Sequence, residues 1–180
     1  MKPADHPEFF RLPPPAGRSR ESSIVLDRTG RFFHESAEVT HPGMARAFAS
    51  WITRHPDDGR YILSNGYDWS YFQVEDTPFF VERIRLLPAA PAEPSGGGAP
   101  GPAESLELFD GTREPFDARA LRVGADGVLR IAVKSGAFEA KFSRSAQLSL
   151  EPFLEAGPDG SIRLKLAGGH VELPQVQPEA

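Results

Sequence analysis

Gln73-Val74-Glu75-Asp76-Thr77-Pro78-Phe79-Phe80 is the stretch that decides the fold of this chain. Tyr67, Trp69, Tyr71 and Phe72 lead into it in an alternating, aromatic-rich pattern, and Phe79 to Leu87 leads out of it. Two strands are therefore expected to meet at an acidic corner. Thr77-Pro78 sets that corner, because proline biases the preceding residue away from helix and removes one ladder donor. Glu75 and Asp76 are adjacent, so on a strand they point to opposite faces and do not form a glycosidase-type carboxylate couple. A turn role is expected for them, with one of the two bonding the turn amide donors around Thr77; the alternative is that Asp76 pairs with a second-half arginine, Arg144 first among them.

Upstream, Ile24-Val25-Leu26, Asp27-Arg28-Thr29-Gly30 and Arg31-Phe32-Phe33-His34 read as a hairpin whose turn ends in glycine. Thr40 is the expected N-cap and Pro42 a first-turn residue of a helix running to about Arg54. Met44, Phe48, Trp51 and Ile52 recur at helical spacing and define its expected apolar face. His55-Pro56-Asp57-Asp58-Gly59 ends that helix. Arg60 to Leu63, Asn65-Gly66 and Tyr67 to Val74 then form a second hairpin, since Asn-Gly adopts positive φ at little cost. Residues 1–21, with Pro13-Pro14-Pro15 and several arginines, read as an extended arm, although Phe9, Phe10 and Leu12 are available to dock.

Downstream, residues 88–104 are dominated by Pro, Gly and Ala and cannot bury enough apolar surface to order themselves, so they read as a linker or long loop. Gly96-Gly97-Gly98 within it lacks the lysine, strand and helix of a phosphate loop. Beyond it, Leu106 to Phe109, Ala120 to Val123, Val128 to Val133 and Phe138 to Phe142 read as strands joined at Asp110-Gly111 and Asp126-Gly127. Residues 143–155 are ambiguous. Ala146, Leu150, Phe153 and Leu154 fit a helical face, whereas Pro152 interrupts a helix interior and Leu148-Ser149-Leu150 alternates; helix is preferred. Ile162 to Leu166 and Val171 to Leu173 form a last hairpin before a tail at 175–180.

An internal repeat is expected. Met44, Phe48, Trp51 and Ile52 match the spacing of Ala146, Leu150, Phe153 and Leu154, and each set is followed by Pro-Asp, at Pro56-Asp57 and Pro158-Asp159. Coincidence in a turn-rich chain is the alternative. The expected fold is α+β: two small β-rich units, at 22–87 and 105–174, each with β-hairpins packed on one helix.

Bulk properties bound the function. The 180 residues carry 39% hydrophobic and 25% charged residues, with a formal net charge of -5. No basic footprint for nucleic acid or anionic lipid is present, so neither is an expected partner. With 0 cysteines, disulfides, thiolate nucleophiles and Cys-based metal sites are excluded. No apolar run reaches a membrane span and the first residues lack a signal core, so a soluble cytoplasmic protein is expected.

The residues now assembled resemble the bacterial family called domain of unknown function 1285. The resemblance rests on the Gly30 turn with Phe32 and His34, on Phe48-Ala49-Ser50-Trp51-Ile52, on Tyr61-Ile62-Leu63, and above all on Gln73-Val74-Glu75-Asp76-Thr77-Pro78-Phe79. In the second half, Gly136-Ala137-Phe138-Glu139-Ala140 with Arg144 is similar to the family pattern. The chain departs from that pattern at Ser64 to Trp69, in the 88–104 insertion and near residue 110. What the resemblance implies is a two-part α+β protein with repeated motifs and a place in signal transduction; no catalytic residues come with it.

His34-Glu35, Glu38 and His41 have a metal-like spacing, but with His34 on a strand and His41 at a helix start they do not share a helix face. A solvated connection is the expected role, with no metal and no cofactor. No Gly-x-Ser-x-Gly elbow, phosphate loop or dinucleotide fingerprint occurs, so an enzyme is unsupported. Trp69, Tyr71, Glu75, Asp76, Phe79 and Arg144 form the candidate interaction or ligand surface. The expected function is a non-enzymatic interaction or regulatory module; alternatives are a small-molecule binding protein with a pocket between the units, and a hydrolase.

Overall fold

The computed structural model describes residues 2–86, 104–158, 161–166 and 169–173. The 88–104 linker, apart from Glu104, and the 175–180 tail lie outside them. The chain divides into two compact units, Met1–Pro78 and Phe79–Ala180.

In the first unit, β1 (Glu21–Leu26), β2 (Phe32–His34), β3 (Ala37–Glu38), β4 (Ile52–Arg54), β5 (Tyr61–Ser64) and β6 (Trp69–Val74) form one sheet in the order β3-β2-β1-β6-β5-β4. Two antiparallel meanders meet at a parallel β1–β6 pair. The turn chemistry is local. The Asp27 carboxylate accepts from the Thr29 and Arg31 amides at 2.8 and 2.9 Å, and Gly30 sits at φ 88°. Asn65 Oδ1 likewise accepts from the Tyr67 and Asp68 amides, with Gly66 at φ 90°. Both are side-chain-closed turns of the kind Asp and Asn favour. The short β2–β3 hairpin, not anticipated, turns through Glu35 and Ser36 at φ 49° and 67°.

Helix α1 (Pro42–Trp51) connects the two meanders. Its N-cap is His41 rather than Thr40: His41 Nδ1 accepts from the Met44 amide at 3.2 Å. The helix stops at Trp51, three residues before the expected end, because Ile52-Thr53-Arg54 pairs with Leu63-Ile62-Tyr61. Two β-branched residues facing a ready partner strand outweigh one more helical turn. The buried face also differs from the expected one. Ala49 and Ile52 are buried and Ala45 is half-buried, whereas Met44 is 50% exposed. Phe48 packs edge-on against Phe32, which with Leu26 and Phe72 fills the core.

The second unit contains β7 (Phe79–Arg85), β8 (Ser105–Leu108), β9 (Arg113–Pro115), β10 (Arg122–Val123), β11 (Leu129–Val133) and β12 (Phe138–Phe142), in the order β10-β11-β12-β7-β8-β9. Phe79 to Arg85, expected to close the first unit, instead pairs with β8 and with β12. The run Phe79-Phe80-Val81 is buried at three successive positions, which requires a strand covered on both faces, the usual state of a central parallel strand.

Both sheets follow one plan: a three-strand meander, a connection, a second three-strand meander, and a parallel pair between first and sixth strands. The likeness of the halves therefore lies in their sheets. The expected helix match does not hold. Residues 143–155 comprise a five-residue helix α2 (Arg144–Leu148), a 3-10 turn (Glu151–Phe153) containing Pro152, and the start of β13 (Leu154–Ala156). Helix α2 follows the second sheet rather than joining its meanders, and Leu154 is exposed. Strand β13 pairs with β14 (Ile162–Leu166), which pairs with β15 (Gly169–Glu172).

Candidate functional site

Trp69 and Tyr71 lie two positions apart on β6 and so face the same side of the sheet. They meet there at 5.2 Å between ring centroids, with His55 4.9 Å from Trp69. The N-terminal arm covers this face. Instead of an extended segment it forms two 3-10 turns, Pro3–Asp5 and Pro7–Arg11, each opening on a proline. Phe9 is buried with Ile62 and Trp69, and Phe10 packs edge-on against His55. Burial of two aromatic rings supplies what the arm's composition alone does not. Trp69 is in consequence only 6% exposed.

Arginines frame this face. The Arg20 guanidinium stacks on Trp69 at 4.4 Å and Arg60 on Tyr71 at 3.8 Å, each within cation–π range. Arg60 also donates two hydrogen bonds to Glu21, at 2.8 and 3.0 Å, which holds the Glu21 carboxyl below its ordinary range. The Arg60 amide, aided by the Tyr71 hydroxyl, lowers the Asp58 carboxyl in the same way. Burial, with the bond to Asp58, raises the Tyr71 phenol. His55 Nδ1 accepts from the Asp57 amide at 3.3 Å, which leaves Nε2 to donate to the Phe10 carbonyl at 3.2 Å. Both ring nitrogens are thus engaged in holding backbone. Trp69 Nε1 is buried and meets no acceptor among the described residues.

The other candidate residues do not join this face. Glu75 is exposed at the far end of β6, where it accepts from the Arg28 amide at 3.3 Å and lies 3.7 Å from the Arg28 Nε. Asp76 is half-buried beside Thr77, which is 3% exposed. Phe79 belongs to the second unit, 2% exposed between Phe109 and Phe138. Arg144 opens α2, also in the second unit, and is exposed. Of the six residues, the structure brings together Trp69 and Tyr71.

A second feature of the first unit was not anticipated as a surface. Rotation of α1 onto its alanines leaves an open trough of about 480 Å³ beside the helix, lined by Ile24, Val39, Met44 and Phe48, with His34 and His41 at its rim. A neighbouring hollow of about 160 Å³ shares Ile24 and Phe48 and extends past Trp51 and Leu63. The signal lay in the sequence as the Ala45, Ala49, Ile52 spacing, since small residues at i and i+4 let a helix approach a sheet closely. His41 Nδ1 is committed to the helix cap and Glu38 lies 3.5 Å from Arg31, and no metal-binding group of three or more His, Asp or Glu side chains occurs among the described residues. No helix among those residues is long and apolar enough to cross a membrane.

No family model matches the sequence, and no curated protein matches it. Two solved structures share its fold. A DUF1285 family protein from Silicibacter pomeroyi DSS-3 is 19% identical, with 86% of this chain and 79% of that one aligned at a TM-score of 0.59. A second DUF1285 family protein, from Shewanella baltica OS155, is 16% identical, with 74% of this chain and 94% of that one aligned at a TM-score of 0.53.

Proposed function

From the fold shared with two members of a family of unknown function, we propose that this chain is a non-enzymatic interaction module whose first unit takes up an apolar segment of a protein partner. The observation that carries this reading is the trough beside α1, where Met44, half exposed, shares the lining with Phe48 and Ile24. Small-molecule sites enclose most of their ligand, and a trough this open does not. A trough lined by a flexible thioether and an aromatic ring is instead suited to adaptable side chains arriving on a partner's helix or strand. His55 and the carboxylates around it are engaged in holding backbone and arginines, which favours binding over catalysis. The signalling role implied by the family resemblance fits a module of this kind, with the partner as the regulated protein.

The test uses peptides selected from a random library against the full chain. Met44→Lys is expected to leave the melting temperature unchanged, because the side chain is half in water, and to weaken the selected peptides about tenfold or more, as loss of a central contact does. Tyr67→Lys, at a 68% exposed position on the β5–β6 turn, serves as control and leaves affinity intact. Equal affinity for the wild type and Met44→Lys would sink the proposal.

A further inference from the structure

Among the described residues, the arm that covers Trp69 is held to its own unit chiefly through residues 2–11. The Ala4 amide donates to the Gly66 carbonyl at 3.1 Å, Phe9 fills the seat made by Ile62 and Trp69, Phe10 meets His55, and Arg11 forms a two-bonded pair with Asp57 at 2.8 and 3.0 Å. The connection from Leu12 to Ser19 is exposed throughout. Its contacts are slight: Arg20 Nη2 lies 3.4 Å from the carbonyls of Leu12 and Pro13, and the Arg18 amide closes a turn on Pro15. The fold-back depends on that turn, in which Gly17 sits at φ 76°.

Pro13-Pro14-Pro15 resists such a reversal. Three prolines favour a stiff polyproline II segment, and eight residues extended at ~3.1 Å each carry the arm roughly 25 Å from its own sheet. A flexible tether keeps its end at millimolar effective concentration, and a stiff one directed outward lowers that advantage. An arm from a second chain makes every one of the contacts at residues 2–11 and needs no turn at Gly17. We propose that the face made by Ile62, Trp69, Tyr71 and His55 is a docking site for residues 2–11 of a second copy of this chain, giving an arm-exchanged, two-fold dimer in equilibrium with the closed monomer. Such reciprocal exchange places the same two surfaces in contact twice, as closed two-fold symmetry requires.

The chain has no native cysteine, so Arg11→Cys with Asp57→Cys introduces a single reactive pair that leaves the Phe9 and Phe10 anchors in place. Joined by a short bis-maleimide, it yields cross-links within one chain from closed monomers and between chains from exchanged dimers. The expected result is a between-chain fraction that rises with protein concentration and disappears when Phe9→Ala and Phe10→Ala are added. Gly17→Ala is expected to raise the dimer-to-monomer ratio about fivefold or more, because a side chain at positive φ strains the closed turn, while the space around Gly17 is open and the exchanged form is free of that strain. Light scattering on the chain carrying only Gly17→Ala reads the same shift without cross-linker. Cross-links confined to single chains at every concentration overturn the proposal, as does a dimer fraction that survives loss of both phenylalanines or ignores Gly17→Ala.

Discussion

At the scale of single residues, the turns are governed by chemistry that reaches only two or three positions along the chain. Asp27, Asn65 and Asp126 each close a turn by accepting from a backbone amide just ahead, which is why those turns were legible in the sequence. Asp126 goes further. The Lys141 ammonium at 2.7 Å, with the Val128 amide and the Arg130 guanidinium, holds its carboxyl down to about 2. A carboxyl depressed on folding contributes stability above its unfolded pKa of ~3.9 and loses that contribution as pH falls toward about 2. Asp126→Asn is expected to lower the urea midpoint near neutral pH, by an amount worth about 1 kcal/mol or less for so exposed a side chain, and to match the wild type near pH 2. A difference that persists at the acid end would assign the effect to geometry and not to charge. No comparable local rule linked the six candidate residues. Trp69 and Tyr71 meet because alternation on β6 puts them on one face, whereas the cover over them comes from Phe9 and Phe10, about sixty positions away in sequence.

At the scale of elements, existence was easier to read than orientation. Helix α1 lies where its alanines and Pro42 place it, but two overlapping apolar stripes share that helix. Burying Ala45, Ala49 and Ile52 lets the backbone approach the sheet, and Met44 is the side chain left out. Residues 143–155 carried conflicting signals, and the structure resolves them piecewise: Ser143 caps a short helix through the Ala146 amide, Pro152 sits in a 3-10 turn, the alternation at Leu148-Ser149-Leu150 forms no strand, and Leu154, expected on the helical face, starts β13 instead. Packing on β7 and β12 holds so short a helix, since five residues are too few to be helical alone. Leu150, just beyond α2, is 1% exposed. Leu150→Ala is expected to cost about 2–5 kcal/mol in denaturant unfolding, the range for a buried leucine, and a loss below about 1 kcal/mol would show that the segment is dispensable to the second core.

At the scale of the whole molecule, the two six-stranded sheets repeat one strand order, and each unit carries its own buried core. A formal charge of -5 sets the long-range field, and proteins that grip phosphate backbones need the opposite sign. Fluorescence anisotropy at about 50 mM salt is expected to detect no binding of duplex DNA; micromolar affinity with a steep salt dependence would contradict that. Composition, turn residues and hydrophobic period, all properties of neighbouring positions, determined by themselves that this chain is built from short strands and hairpins with few helices, and where most of those elements begin. Tertiary structure alone decided that Phe79 to Arg85 enters the second sheet, that β1 lies parallel to β6, and that the arm seals the Trp69 face. The physical reason is range. A turn is fixed by bonds within a few residues, whereas a strand's partner is chosen by which distant apolar surfaces bury one another, and the corner at Glu75 to Pro78 states only that the chain changes direction there.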